Sequence, residues 1–197
     1  MRNIDVHIPP MEMFCIWEHG FTLEDCDKII EIGELFEFQQ ARVGESNQAR
    51  LDTNIRETNI TWIQPDEPYK WIFERMNELA AKINFDKYQM NLNRFDGFQY
   101  SKYDINGHYD WHIDTILAPR DGLYRKLSFS LMLTDPDDYT GGELLMNDKG
   151  NQDNPTSLRP KKGDLVCFYS HVPHKVSKII SGTRTTLVTW GLGSKIV

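Results

Sequence analysis

The sequence predicts an all-β core with flanking helices (class α+β): a double-stranded β-helix, or jelly roll, with amino-terminal helices packed on one face. Three observations point there. From Leu92 onward the chain breaks into short strand-like runs, turn-forming dipeptides separate those runs, and two amphipathic helical patterns are confined to the first half.

The first helix starts at Thr22-Leu23-Glu24-Asp25, where a hydroxyl can cap the end and acids occupy the first turn. Ile29, Ile30, Ile32 and Leu35 follow at roughly helical spacing. A second helix is expected from Tyr69 to about Ile83, with Trp71, Ile72, Met76, Leu79 and Ala80 on one side. The strand-like runs are Phe98 to Tyr103, Leu127 to Leu133, Glu143 to Met146, Asp164 to Tyr169, Val176 to Ile180 and Thr185 to Trp190. Asn106-Gly107, Asp135 to Asp138, Gly141-Gly142, Lys162-Gly163 and Ser181-Gly182 punctuate them as turns.

A length of 197 residues with 40% hydrophobic content suits one domain over 1–197, with helical support and first strands in about 1–90 and the core in about 91–191. A net charge of -7 argues against a nucleic-acid partner, since phosphate binding draws on a basic face. Cys15, Cys26 and Cys167 form neither a CxxC motif nor an even disulfide set, which fits a reducing compartment. The amino terminus has no apolar signal-like segment, and no run is long enough for a bilayer. These features predict a soluble, cytoplasmic protein without a membrane partner.

Chemistry concentrates in two distant stretches. Tyr109 to Thr115 contains His112-Ile113-Asp114, and Pro173 to Arg184 places His174 ten positions ahead of Arg184. Side chains two apart on a strand share a face, so a His-x-Asp pair on a strand turns both groups the same way. A second, distant histidine completes two imidazoles and a carboxylate, a set that suits non-haem Fe(II) and leaves coordination positions open. His7, His19, His108, His112, His171 and His174 are the available imidazoles. His174 is preferred for the third place because it just precedes a strand and a turn can return Arg184 beside it. His171 reads as a loop residue, and the Asn106-Gly107 turn argues against His108. Arg184 supplies a permanently charged fork for a carboxylate. A buried, unpaired arginine is costly, so an anion is expected beside it.

With those residues in place, the segment from about 90 to 191 resembles the 2-oxoglutarate/Fe(II)-dependent dioxygenases of the prolyl 4-hydroxylase-like group. Three stretches carry the likeness in order: Tyr103 to Asp114, Leu127 to Leu144 with its Gly141-Gly142-Glu143, and Lys162-Gly163-Asp164 to Trp190. The resemblance implies His112, Asp114 and His174 as iron ligands and Arg184 as the group binding the distal carboxylate of 2-oxoglutarate. It further implies that Tyr103 hydrogen-bonds the co-substrate, Tyr109 lies near the ligands, Trp190 flanks the pocket, and Arg125 helps position substrate. Ordinary aromatic packing would account equally well for Tyr109 and Trp190, and a solvated strand end for Arg125. Two positions depart from the group: Met132 stands where several prolyl hydroxylases have tyrosine, and Leu144 where threonine is common. Both predict a more apolar pocket wall.

The reaction implied is oxidative decarboxylation of 2-oxoglutarate with O2, coupled to hydroxylation of an amino-acid side chain. A prolyl residue, free or in a peptide or protein, leads by family likeness alone. A role for ascorbate is compatible with that likeness. Asp114 favours hydroxylation, because halogenating relatives carry a small residue there. Alternatives are a non-catalytic module sensing iron or 2-oxoglutarate, an alkylated nucleic-acid demethylase on the same scaffold, and a cupin-like lyase or isomerase. Two loops, Gly44 to Arg56 and Ile116 to Tyr124, are candidates for a lid, with plain solvated connections as the other reading.

Overall fold

The structure is a computed structural model and describes residues 12–44, 49–115 and 121–194. In chain order, the first half holds β1 (Phe14–Trp17), α1 (Leu23–Glu34), β2 (Gln39–Gln40), β3 (Arg56–Glu57), β4 (Asn59–Ile63) and α2 (Lys70–Ile83). Next come β5 (Arg94–Phe95), β6 (Phe98–Tyr103), β7 (His108–His112), β8 (Leu123–Met132), β9 (Thr140–Gly141) and β10 (Leu144–Met146). The chain closes with β11 (Thr156–Leu158), β12 (Leu165–Tyr169), β13 (His174–Val176), β14 (Ile179–Ser181) and β15 (Arg184–Ser194).

The strands form a major sheet in the order β1-β12-β8-β15-β6-β4-β2, with β5 added on β15, and a minor sheet in the order β11-β10-β13-β7-β3. A short β14-β9 pair bridges one end. Every recorded pairing among the described residues is antiparallel. This is the expected jelly roll with helices on one outer face.

Both helices pack as their sequences dictate, and α1 also begins so, whereas α2 starts after Tyr69 without a side-chain cap. Thr22 caps α1 reciprocally: its Oγ1 accepts from the Asp25 N–H and its own N–H donates to the Asp25 carboxylate. α1 buries Cys26, Ile29 and Gly33; α2 buries Ile72, Met76, Leu79, Ala80 and Ile83. Trp71 is only half-buried, at the margin of that stripe. The helices cover the outer face of β6, where Phe73 stacks on Phe98 at 4.0 Å and Gly33 lies against Tyr100.

That last contact yields a stability prediction. A Cβ on Gly33 would stand 2.5 Å from the Tyr100 ring, closer than any real Cβ contact. Alanine would gain about 1 kcal/mol in helix propensity. Overpacking a filled interface costs about 1–3 kcal/mol, and Tyr100 is fully buried with its hydroxyl held by Glu34. Gly33→Ala is therefore expected to lower the urea midpoint, against the direction that propensity alone dictates.

Strand alternation in the major sheet then separates stability from chemistry. Phe98, Tyr100, Phe129, Leu131 and Leu187 belong to the apolar core. Their neighbours Gln99, Tyr103, Ser130, Arg184, Thr186 and Trp190 line the space between the sheets. In β6, β8 and β15 the more polar face is thus turned inward, into a cavity.

Two expectations about strands are corrected. The run Val176 to Ile180 is two strands, because the chain leaves the minor sheet after Val176 and re-pairs through Ile179 with Gly141. β4 was not singled out, although Asn-Ile-Thr-Trp-Ile is a run of β-formers and pairs fully with β6. No helix among the described residues is long and apolar enough to cross a membrane.

Candidate metal centre and active-site cavity

β7 and β13 are neighbours in the minor sheet, and their register sets His112 directly opposite His174. β7 ends at His112, so Asp114 lies beyond the strand. The strand-period argument for the His-x-Asp pair is therefore wrong in its mechanism. The carboxylate is instead aimed by an irregular stretch, in which the Asp114 and Thr115 N–H groups both donate to Ser170 O at 2.8 and 3.0 Å. The three groups still converge: His112 Nε2 is 3.7 Å from Asp114 Oδ1, and His174 Nε2 is 3.6 Å from Asp114 Oδ2.

The surroundings prepare these atoms as ligands. The Nδ1 atoms of His112 and His174 lie 2.7 and 3.0 Å from the carbonyls of Asp110 and Val172. That pattern assigns the proton to Nδ1 and leaves each Nε2 lone pair facing the centre. Ser128 Oγ donates to Asp114 Oδ2 at 2.7 Å and is itself 2.9 Å from Ser170 Oγ. Burial works to raise the Asp114 pKa, but His174, His112 and the Ser128 hydroxyl outweigh it and hold the group down to about 2. Burial, followed by repulsion from His174, lowers the His112 pKa to about 3, so that imidazole is neutral at neutral pH.

One carboxylate and two imidazole nitrogens fit a divalent metal. Ligand atoms about 2.1 Å from a metal and at right angles sit about 3 Å apart, so side-chain shifts of under about 1 Å would close the site. Among the described residues this is the one group of three or more His, Cys, Asp or Glu side chains able to hold a metal.

A cavity of about 440 Å³ opens from the three ligands between the sheets. Every residue singled out from the sequence except Met132 lies on its wall: Tyr103, Tyr109, Arg125, Leu144, Arg184 and Trp190. Arg184 starts β15, pairs in register with Tyr103, and is 2% exposed. Its Nη2 reaches only Met132 Sδ at 3.8 Å, and its Nε has no acceptor. Met132 is covered by this guanidinium, so it supports Arg184 and does not form the pocket wall. Arg125 is no solvated strand end: it is paired with Asp96 Oδ2 at 2.7 Å and lies 3.5 Å over the Trp190 ring. Tyr109 stacks on the His112 ring at 3.4 Å and 13°, which fixes the imidazole plane.

The other histidines sort as expected. His171 is exposed in a turn, and His108 bonds backbone carbonyls away from the centre. His7 lies outside the described residues, as do 45–48 and 116–120 of the two lid candidates. Sequence reading missed Asp96, Trp62, Gln64 and Gln99 as wall residues and reached Arg56 only as the end of the Gly44 to Arg56 loop. Only Arg56 left a trace, a charged residue directly preceding a β-forming run. With Gln64, Gln99, Ser130 and Thr186 on the wall, the cavity is more polar than Leu144 alone led one to expect.

The profile of the 2OG-Fe(II) oxygenase superfamily matches residues 98–191, the stretch that holds all three ligands and Arg184. That stretch, just under half of the chain, is similar to the 2OG-Fe(II) oxygenase superfamily. Fe(II) and 2-oxoglutarate are the cofactor and co-substrate that the superfamily's name states, and the donor set and the unpaired arginine fit both. A PKHD-type hydroxylase of Gluconobacter oxydans is 34% identical over 96 residues, 46% of this chain and 40% of that protein. One from Crocosphaera subtropica is 31% identical over 116 residues, 58% and 50% of the two chains. The chain thus spans about half or less of the length of these relatives. Among solved structures, a Pseudomonas putida prolyl-4-hydroxylase superposes with a TM-score of 0.70 at 24% identity, over 93% of this chain and 94% of that one. A viral collagen prolyl hydroxylase in complex with 2-oxoglutarate gives 0.71 at 16%, over 92% and 97%. These two likenesses are likenesses of fold.

Proposed function

We propose that this chain is an Fe(II)- and 2-oxoglutarate-dependent dioxygenase that hydroxylates an amino-acid side chain, with a prolyl residue, free or in a peptide, as the first candidate. One observation carries the reading: a His112–Asp114–His174 donor set shares a single cavity with a buried arginine that has no partner carboxylate. In this reading His112, Asp114 and His174 hold iron, which with O2 supplies the oxidising power. Arg184 and Tyr103 hold the distal carboxylate of the co-substrate. Arg125, steadied by Asp96 and Trp190, orients the substrate, and Tyr109 keeps His112 in place. Residues 1–197 act as one unit with the catalytic core in about 91–191. The three free cysteines fit work in the cytoplasm, and the charge of -7 disfavours a nucleic-acid substrate. A relative by fold from Trichoplax adhaerens was solved with a hypoxia-inducible-factor peptide, which supports a peptide as one form of substrate.

The expected result is that protein supplied with Fe(II), 2-oxoglutarate and O2 adds one oxygen atom to a proline-containing probe, with succinate formed in step. Mass spectrometry of the probe and succinate assay check both. Conversion of a probe without O2 uptake would replace this reading with a lyase or isomerase.

A further inference from the structure

Three arginines border the cavity, and their charges meet different fates. Arg125 carries its own counter-ion, Asp96. Arg184 is unpaired and, in the proposed function, awaits the co-substrate. Arg56 remains. It enters from β3, the edge strand of the minor sheet, in register with Tyr109. It is 8% exposed, and its guanidinium carbon lies 4.4 Å from the centre of the Tyr109 ring. Among the described residues no carboxylate stands within ion-pair range of it, and its Nε is buried without an acceptor.

The Tyr109 face offsets part of the loss of hydration. It cannot accept the in-plane N–H bonds of the guanidinium, and an unsatisfied, desolvated cation is strongly unfavourable. Arg56 thus repeats the features that mark Arg184 as an anion receptor. Four buried side-chain polar atoms of the described residues lack a partner, and three of them, Arg56 Nε, Arg184 Nε and Trp190 Nε1, are donors of cavity-wall residues. The wall as a whole is short of acceptors.

The co-substrate does not remove that shortage. Of its two carboxylates, one accompanies the keto group at the metal, so a single carboxylate is left for two unpaired arginines. The arginines also arise from different sheets, Arg184 from the major and Arg56 from the minor. We infer that the substrate itself brings a carboxylate and that Arg56 receives it. This rests on the hydroxylase reading and narrows it: the substrate is a free amino acid or the carboxy-terminal residue of a peptide, not an internal residue.

Distances are consistent with an α-carboxylate. Tyr109 lies 3.4 Å from the His112 ring and 4.4 Å from Arg56 Cζ, so that guanidinium is less than about 8 Å from a metal-binding imidazole. Carbons two or three bonds from a carboxylate at Arg56 stand roughly 2.5–4 Å further in, given bonds near 1.5 Å. Those are the β and γ carbons of an amino acid.

The test uses whole protein loaded anaerobically with Fe(II) and 2-oxoglutarate, and measures binding by calorimetry. The probes are L-proline, N-acetyl-L-proline and glycyl-L-proline, the other free L-amino acids, and the carboxamide of each. At least one acid is expected to bind about ten-fold or more tighter than its amide. The preference should fall to within about two-fold in Arg56→Met and be partly retained in Arg56→Lys, which keeps the charge without the fork. Free and acetylated or peptidyl probes separate a free amino acid from a chain end. Equal binding of acids and amides, or no binding by any acid, in protein that shows the visible charge-transfer band of bound 2-oxoglutarate would overturn the inference. Loss of that band in Arg56→Met would overturn it too, by assigning Arg56 to the co-substrate. Absence of the band in the wild type would sink the hydroxylase reading and this inference with it. The acid–amide comparison in the wild type stands even if a variant fails to fold.

Discussion

Arg184→Met is expected to remove 2-oxoglutarate binding and, at the same time, to raise the melting temperature of the ligand-free protein. The two effects have one cause. The guanidinium is 2% exposed, touches Met132 Sδ at 3.8 Å and the Tyr103 ring face at 5.3 Å, and has a buried Nε without an acceptor. A buried charge without a partner opposes folding, and an apolar side chain of similar volume relieves that by about 1–4 kcal/mol. For a chain of this size each kcal/mol moves the melting temperature by about 2–4 °C. The bound state reverses the sign: a fork–carboxylate pair in a desolvated site contributes about 2–5 kcal/mol, so affinity should fall roughly 30-fold or more. Thermal unfolding without ligand and titration with 2-oxoglutarate read the two arms. A lower melting temperature together with unchanged affinity would mean that Arg184 is a packing residue.

Asp114→Ala is expected to give the largest loss of metal affinity of any single change. Asp114 is the one anionic member of the donor set, and its carboxylate is kept ionised by both imidazoles and by the Ser128 hydroxyl despite burial. Removing a partner that only orients a ligand weakens metal binding about 10–100-fold. Removing the ligand and its charge should exceed 100-fold on that scale. The His112 and His174 rings remain fixed through Nδ1 to backbone carbonyls, so the fold should survive the change. Competitive titration of Fe(II) under anaerobic conditions, beside a circular-dichroism spectrum, checks both statements. Retained affinity would place the metal elsewhere.

Much of this site is legible in the chain because its parts are local. The Thr22 cap, the period of α2 and the strands Phe98–Tyr103 and Leu165–Tyr169 are written in residues that lie side by side in sequence. His112, His174 and Arg184 follow from ligand chemistry and turn spacing. Asp114 was singled out by a strand period that stops at His112, since the segment that aims it depends on Ser170, which sits more than fifty residues later. Asp96 was invisible, and Arg56 was reached only as the end of the Gly44 to Arg56 loop, for a related reason. An arginine on a two-residue edge strand looks like surface until β7 pairs with it, and Asp96 acquires meaning only when β8 brings Arg125 to it. Met132 was misplaced because a position matched to the prolyl hydroxylases tells which face a residue takes, not what covers it there.

The central claim, a facial-triad iron that binds 2-oxoglutarate through Arg184, is tested most directly by adding Fe(II) and then 2-oxoglutarate to the wild-type protein without oxygen. The weak visible charge-transfer band of a keto acid chelated to iron should appear in the wild type and be lost or weakened in Asp114→Ala and Arg184→Met. Iron bound in full with no band on adding 2-oxoglutarate would contradict it.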